Sequence, residues 1–124
     1  MKLIAEILIG FVAIEHLYIL WMEMFAWTSM GARTFKNFPA ELFEKTREMA
    51  ANQGLYNGFL SAGLIWSLLI SDDIWSTYVS YFFLTCIIIA GIYGAVTIEK
   101  SIFYKQSIPA IFALAFTIIS QRIT

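Results

Sequence analysis

Two glutamates and a histidine lie inside a long apolar stretch near the start of the chain: Glu15, His16 and Glu23. An ionisable side chain at the centre of a bilayer costs about 2.5–3.5 kcal/mol, so such residues are functional candidates when they face protein or water. At about 100° per helical residue, Glu6, His16 and Glu23 share one face and Glu15 lies at its edge. A carboxyl beside an imidazole can exchange protons near neutral pH. This pair suits proton-coupled transport or acid–base chemistry on an apolar substrate.

A second group of polar residues follows in the next apolar stretch. If the two stretches form an antiparallel helical hairpin, Glu23 lies level with Asn52 and Gln53, and Tyr18 lies near Asn57. Amides can donate to a carboxylate and accept from a histidine, so these residues could satisfy one another or surround a polar ligand. Within the predicted ligand-binding set, Glu15 and His16 are also the catalytic candidates. The full set is Glu15, His16, Tyr18, Glu23, Asn52, Gln53, Tyr56 and Asn57.

Three interpretations of these residues remain open. The first is a structural hydrogen-bond network that locks helix packing. The second is a ligand or proton site for transport or enzymatic chemistry. The third is a metal site, but His16 and Glu23 are about 10.5 Å apart along a helix axis, too far to share one ion without a kink. We therefore expect no metal and no cofactor.

The composition of the 124-residue chain is typical of a membrane protein and of a single domain, residues 1–124. Hydrophobic residues make up 60% and charged residues 14%, whereas soluble domains have about 45–50% and about 25%. The net charge of −1 gives no basis for nucleic-acid binding. The lipid bilayer is therefore the expected partner, with no nucleic acid.

Four stretches are long and apolar enough to cross about 30 Å of hydrocarbon as helices: 3–27, 49–71, 74–98 and 102–121. Short connections make neighbouring helices antiparallel, so we predict an all-α, up-down-up-down four-helix membrane bundle. Small residues at helical spacing support close packing. They are Gly54, Gly58 and Ala62 on the second stretch, and Ala90, Gly91, Gly94 and Ala95 on the third. The connection 28–48 is predicted to be an amphipathic segment at the membrane surface, helical from Pro39.

The distribution of positive charge predicts the orientation in the cell (inner) membrane. Six of the eight Lys and Arg residues lie on the first and third connections: Arg33, Lys36, Lys45, Arg47, Lys100 and Lys105. Lys2 and Arg122 lie on the opposite side. The positive-inside rule then places the 28–48 connection in the cytoplasm and both termini outside. Trp27 and Tyr104 mark the cytoplasmic interface.

Several runs resemble a family of small bacterial membrane proteins, domain of unknown function 1304. The most specific run is Ala51-Asn52-Gln53-Gly54-Leu55-Tyr56-Asn57-Gly58-Phe59-Leu60. Further runs are Glu15-His16-Leu17-Tyr18-Ile19, Glu23-Met24-Phe25 with Trp27, and Ala90-Gly91-Ile92-Tyr93-Gly94-Ala95. The resemblance covers nearly the whole chain and implies four transmembrane helices. It supports attention to Glu15, His16, Glu23, Asn52, Gln53 and Asn57, and it implies no particular reaction.

The leading hypothesis from the sequence is a multi-pass membrane protein with a buried acid–histidine–amide site for a small amphiphilic or cationic molecule. Glu15 would hold the proton and the charge, and His16 would modulate it. Proton-coupled transport would require a homodimer, because four spans are few to enclose a pathway. One alternative is a membrane-embedded acid–base enzyme acting on a lipid-like substrate. The other is a structural or accessory membrane subunit.

Overall fold

The computed structural model describes residues 1–123, with side chains up to Gln121. Within these residues all regular structure is helical, with no strand, which confirms the all-α prediction. The elements are α1 (Lys2–Phe25), a π-helical turn (Trp27–Gly31), α2 (Ala32–Thr34), α3 (Leu42–Lys45), α4 (Arg47–Leu69), α5 (Asp73–Thr97), a second π-helical turn (Phe103–Ser107) and α6 (Ile108–Ile123). The side chain of Arg122, used in the predicted charge distribution, lies outside the described residues.

Three helical segments of the described chain are long and apolar enough to cross a membrane: Lys2–Phe25, Asp73–Thr97 and Phe103–Gln121. This agrees with a membrane location. The helix α4 is also long, but Arg47, Glu48 and several amides make its first half polar. The predicted span 49–71 therefore stays a prediction.

Helix α1 packs most extensively against α4 and also against α6, while α5 packs against both α4 and α6. Two hydrogen bonds show that α1 and α4 are antiparallel. Ser61 Oγ on α4 donates to the carbonyl of Ala13 at 2.8 Å, and Asn57, one turn earlier, contacts Glu23 further along α1. Between these helices lies a buried core of aliphatic and small residues: Ile9, Val12, Ala13, Leu64, Leu84, Ile87, Ala110 and Ala113.

Small residues allow the helices to approach closely, although not at every predicted position. A Cβ built on Gly54 would lie 2.7 Å from Met24 Cγ and 3.1 Å from the carbonyl oxygen of Leu20. Gly91 packs against Ser107 in the same manner. By contrast, Ala62 and Ala90 are exposed, so each predicted row of small residues contributes only part of its length to packing.

The connection 28–48 is built from short helical turns rather than from one amphipathic helix. Its aromatic residues fold back over the end of α1: Trp27 contacts the rings of Phe35, Phe38 and Phe43 at centroid distances of 5.0–5.9 Å. Trp27 Nε1 also donates to Thr46 Oγ1 at 3.0 Å. This clustering buries aromatic surface that a straight helix would expose, and it closes one end of the molecule.

Candidate functional site

The two residues at the middle of α1 differ in exposure: the His16 side chain faces the interior, and Glu15 is half-buried. His16 is fully buried, and its Nδ1 lies 2.9 Å from the carbonyl oxygen of Val12. Because a carbonyl only accepts, Nδ1 carries the proton in this contact and Nε2 of the neutral ring remains an acceptor. Among the described residues, neither His16 Nε2 nor the buried Oε1 of Glu15 has a hydrogen-bond partner. Unpaired buried polar atoms are uncommon because each loses its bonds to water.

Two turns further along α1, Glu23 lies in a different environment. It is 8% exposed, and its Oε1 accepts a 2.6 Å hydrogen bond from Asn57 Nδ2 on α4. The same nitrogen also donates to the carbonyl of Gln53 at 3.2 Å. Glu23 therefore has the amide partner that the mid-helix pair lacks.

The two helices pack close to the predicted register, but the amide that bonds Glu23 is Asn57, one helical turn beyond the predicted Gln53. Gly54 packs directly against the backbone of Leu20 and the Cβ of Glu23. At 100° per residue, Asn57 lies about 60° around α4 from Gly54, whereas Asn52 lies about 160° away. Asn57 therefore points toward α1, and Asn52 is exposed.

Glu23 lines a cavity of about 400 Å³ at the end of the molecule that the aromatic connection closes. Small-molecule sites commonly occupy about 300–1,000 Å³ and combine apolar walls with a few polar groups. Here the polar groups come from four segments: Glu23 from α1, Gln53 and Asn57 from α4, Thr97 from α5 and Gln106 from the second π-helical turn. The aromatic wall consists of Trp27, Phe35, Phe38 and Tyr93.

The predicted set of eight residues therefore separates into distinct groups. Glu23, Gln53 and Asn57 come together at the cavity. Glu15 and His16 lie on the same helix but are not among the residues that line it. Tyr18 and Tyr56 are 48% and 57% exposed, so both side chains point outward, as does Asn52.

The sequence reasoning missed Gln106 and the aromatic wall. Gln106 was visible only as a polar residue at the beginning of the last apolar stretch, and Trp27 as a marker of the membrane interface. Phe35 and Phe38 lie in the polar connection, and their helical spacing does not predict that the connection turns back toward Glu23. A run of aromatic residues in an otherwise polar connection is the signal that could have found them.

The chemistry of the cavity follows from its lining. Glu23 is the one carboxyl group among the lining residues, and no Lys or Arg lines the cavity within the described chain. The same part of the chain contains no cluster of three or more His, Cys, Asp or Glu side chains that could hold a metal ion. A carboxylate surrounded by aromatic rings can attract a cation by direct charge and by cation–π contact.

Comparisons with known proteins place the chain in a family. Residues 10–118 match the family model DUF1304, a protein of unknown function. The chain is also similar to the uncharacterized protein YpaA of Lactococcus lactis subsp. lactis (strain IL1403). The two are 33% identical over 116 residues, covering 92% of this chain and 96% of the relative. No solved structure matches the chain significantly. The chain belongs to the DUF1304 family.

Proposed function

We propose that this member of the DUF1304 family is a multi-pass inner-membrane protein that binds a small cationic amphiphile in the cavity beside Glu23. The observation that carries the proposal is the single, nearly buried carboxyl group in an aromatic-walled cavity that no Lys or Arg lines within the described chain. A lone carboxylate in such surroundings gains most from a ligand that brings the opposite charge.

The aromatic residues support a cation of low hydration, such as an alkylammonium. Contact of a cation with the face of an aromatic ring contributes about 0.5–1 kcal/mol at exposed sites and about 2 kcal/mol when it is desolvated. Trp27, the strongest ring type for this contact, is fixed by its hydrogen bond to Thr46 and lines the cavity with Tyr93. Asn57 holds the carboxyl group of Glu23 toward the same space.

The size of the cavity limits the ligand. A volume of about 400 Å³ accommodates a trimethylammonium group with a short alkyl chain, but it is small for a whole two-chain phospholipid. The apolar part of the ligand contacts the aliphatic side of the cavity, which Met49, Ile98 and Ile102 provide.

The helix α4 acts as the fourth span of the bundle in this proposal. Its amides lower its overall hydropathy; Gln53 and Asn57 line the cavity, and Asn52 is exposed near the polar beginning of the helix. The exposed residues between Gln53 and Asn57 and beyond are apolar or aromatic, with Leu55 43% and Phe59 55% exposed. Such a surface suits lipid contact. The positive-inside rule places the cavity on the cytoplasmic side.

Proton-coupled movement of the ligand is the further step of the proposal, and Glu15 with His16 supplies the proton site. Their unpartnered buried atoms support this role, because a proton can be taken up there without breaking an existing hydrogen bond. Glu15 lies eight residues from Glu23, about 12 Å along α1. The two acids therefore act in sequence rather than on one bound molecule, and a homodimer encloses the pathway.

The binding and transport function is better supported than the enzymatic alternative. Acid–base chemistry by Glu15 and His16 would require the substrate to reach both groups, and neither lines the cavity. A purely accessory role does not explain the cavity or its carboxyl group. It predicts no saturable binding of a cation, and the titration below therefore separates it from the present proposal.

Binding of hexyltrimethylammonium to the protein in dodecylmaltoside micelles tests the proposal by isothermal titration calorimetry. We expect saturable binding that weakens at least about tenfold in Glu23→Gln, equal to about 1.4 kcal/mol. Glu6→Gln is the matched control, since it makes the same chemical change at an exposed position of the same helix. The neutral analogue with carbon in place of nitrogen should bind as weakly as the cation binds Glu23→Gln. Equal affinity of both compounds for the wild-type protein would reject a cation site.

Uptake into vesicles tests the transport step separately. With a pH gradient across the membrane, labelled hexyltrimethylammonium should accumulate in vesicles that contain the wild-type protein. We expect Glu15→Gln to abolish the gradient-driven accumulation while binding in detergent is retained. Uptake by Glu15→Gln at the wild-type rate would contradict a proton role for this residue.

A further inference from the structure

A second feature lies outside the cavity, where the chain passes from α5 to α6. An open groove is formed there by residues of the 28–48 connection and of the turn after α5: Thr34, Lys36, Asn37, Ala95, Ile98, Glu99, Lys100, Ser101 and Lys105. We call this set the lysine groove. It shares Ile98 with the cavity, and none of its other residues lines the cavity.

The lysine groove carries excess positive charge. Its one carboxyl group, on Glu99, already accepts hydrogen bonds from Ser101 Oγ and from the backbone N–H of Asn37. The ion pairs of the described chain are Lys2–Asp73 and Arg47–Glu44, so no groove lysine has a carboxylate partner there. Three ammonium groups thus face one engaged carboxylate, which favours an anionic ligand.

The position of the groove determines which anion it meets. Two candidate membrane spans, Asp73–Thr97 and Phe103–Gln121, end and begin beside it. Ile98 and Tyr104 are 57% and 68% exposed at the same level. Exposed tyrosines of this kind mark the headgroup region of a bilayer, where basic groups attract anionic lipid headgroups.

We propose that the lysine groove binds the phosphate group of an anionic phospholipid, with Lys36, Lys100 and Lys105 as the cationic contacts. The open shape and the exposed apolar side chains beside it suit a headgroup whose acyl chains remain in the bilayer. The groove is open on one side, whereas sites for a free phosphate ion commonly enclose it with backbone N–H donors. This proposal does not depend on the cation site at Glu23.

Binding of fluorescently labelled phosphatidylglycerol to the full-length protein in dodecylmaltoside micelles tests the proposal. We expect phosphatidylglycerol to bind more tightly than phosphatidylcholine. The triple variant Lys36→Gln, Lys100→Gln, Lys105→Gln should lower the phosphatidylglycerol affinity at least about tenfold. The control variant Lys2→Gln, Lys45→Gln, Arg47→Gln removes the same charge outside the groove and should change the affinity less than about twofold.

Three outcomes would overturn the proposal. The first is unchanged phosphatidylglycerol affinity in the groove variant, with folding verified by circular dichroism. The second is an equal loss in the control variant, which would assign the effect to overall charge. The third is saturable binding of inorganic phosphate with no preference for phosphatidylglycerol over phosphatidylcholine, which would show that the groove takes the free ion rather than a membrane lipid.

Discussion

Helix α1 carries two acids in different surroundings, the half-buried Glu15 and the buried Glu23. At mid-helix, the fully buried His16 contacts the carbonyl of the core residue Val12, and a polar atom of His16 and one of Glu15 lack a partner among the described residues. Two turns later, Glu23 has an amide partner and faces a cavity of about 400 Å³. Of these two acids, Glu23 lines a cavity that a ligand can occupy without rearrangement of the helices, whereas Glu15 does not line it. Four substitution experiments test this difference between Glu15 and Glu23.

The largest effect is expected at the mid-helix pair, on stability. His16→Ala removes a fully buried ring and should lower the free energy of unfolding by about 2–4 kcal/mol, measured by chemical unfolding in mixed micelles. His16→Leu keeps most of the volume and removes the unpartnered Nε2, so we expect it to cost less than about 1 kcal/mol. Leu17→Ala, at a 43% exposed neighbour, serves as the control. If His16→Leu is as destabilising as His16→Ala, the imidazole has a polar partner and the region is not a closed core.

The next effect concerns the packing that holds Glu23 against α4. Gly54→Ala should destabilise the protein by about 1–3 kcal/mol, since its Cβ would meet the backbone oxygen of Leu20. Gly58→Ala meets only the flexible tip of the Leu20 side chain and should cost less. Gly10→Ala, with nothing within 4 Å, should cause no loss. The melting temperatures in detergent check this order, and equal values for Gly54→Ala and Gly10→Ala would disprove the close approach.

A third experiment compares the two acids by ligand affinity. Glu15→Gln should leave the detergent-phase affinity for hexyltrimethylammonium within about twofold of wild type, in contrast to the loss of at least about tenfold expected for Glu23→Gln. The physical reason is that Glu15 does not line the cavity. Calorimetric titration of both variants under one condition provides the test. A matching loss in the two variants would mean that the acids form one site.

The smallest effect is expected at the amide that orients Glu23. Asn57→Ala removes the 2.6 Å hydrogen bond to the carboxyl group and should weaken cation binding about three- to tenfold, near the 1 kcal/mol typical of one hydrogen bond. Asn52→Ala makes the same change at an exposed position of the same helix and should have no effect on the titration. The assignment of Asn57 fails if the two variants bind equally well.

The sequence was sufficient for the helical class and for the inward face of α1, because hydropathy and the 3.6-residue period are local properties of each segment. His16 and Glu23 are buried as the period predicted, and only Glu6 of that face is exposed. The predicted register of α1 and α4 is close to the one observed, since Gly54 packs against Glu23 and Ser61 donates to the carbonyl of Ala13. The amide that bonds Glu23 lies one turn from the predicted Gln53, because the direction of each side chain, and not only its height along the helix, selects the partner.

The aromatic wall of the cavity and Gln106 could not be predicted from local sequence patterns, because they come from segments far apart in the chain. Phe35 and Phe38 line the same cavity as Glu23 because the 28–48 connection folds over Trp27. Gln106 lies in the second π-helical turn, more than 80 residues after Glu23 in the sequence, and lines the same cavity. Contacts between distant segments depend on tertiary closure, which a single sequence without an alignment does not specify. The site residues found in advance are therefore those of α1 and α4, which form one hairpin.

The location of a bound ligand tests the central claim most directly. Crystals grown with a bromoalkyl-trimethylammonium compound would reveal the bromine by its anomalous signal, and the nitrogen by its density. We predict the ammonium group between Glu23 and Trp27, inside the cavity. Density for the ligand beside Glu15, or only on the lipid-facing surface, would contradict the assignment of Glu23 as the cation site.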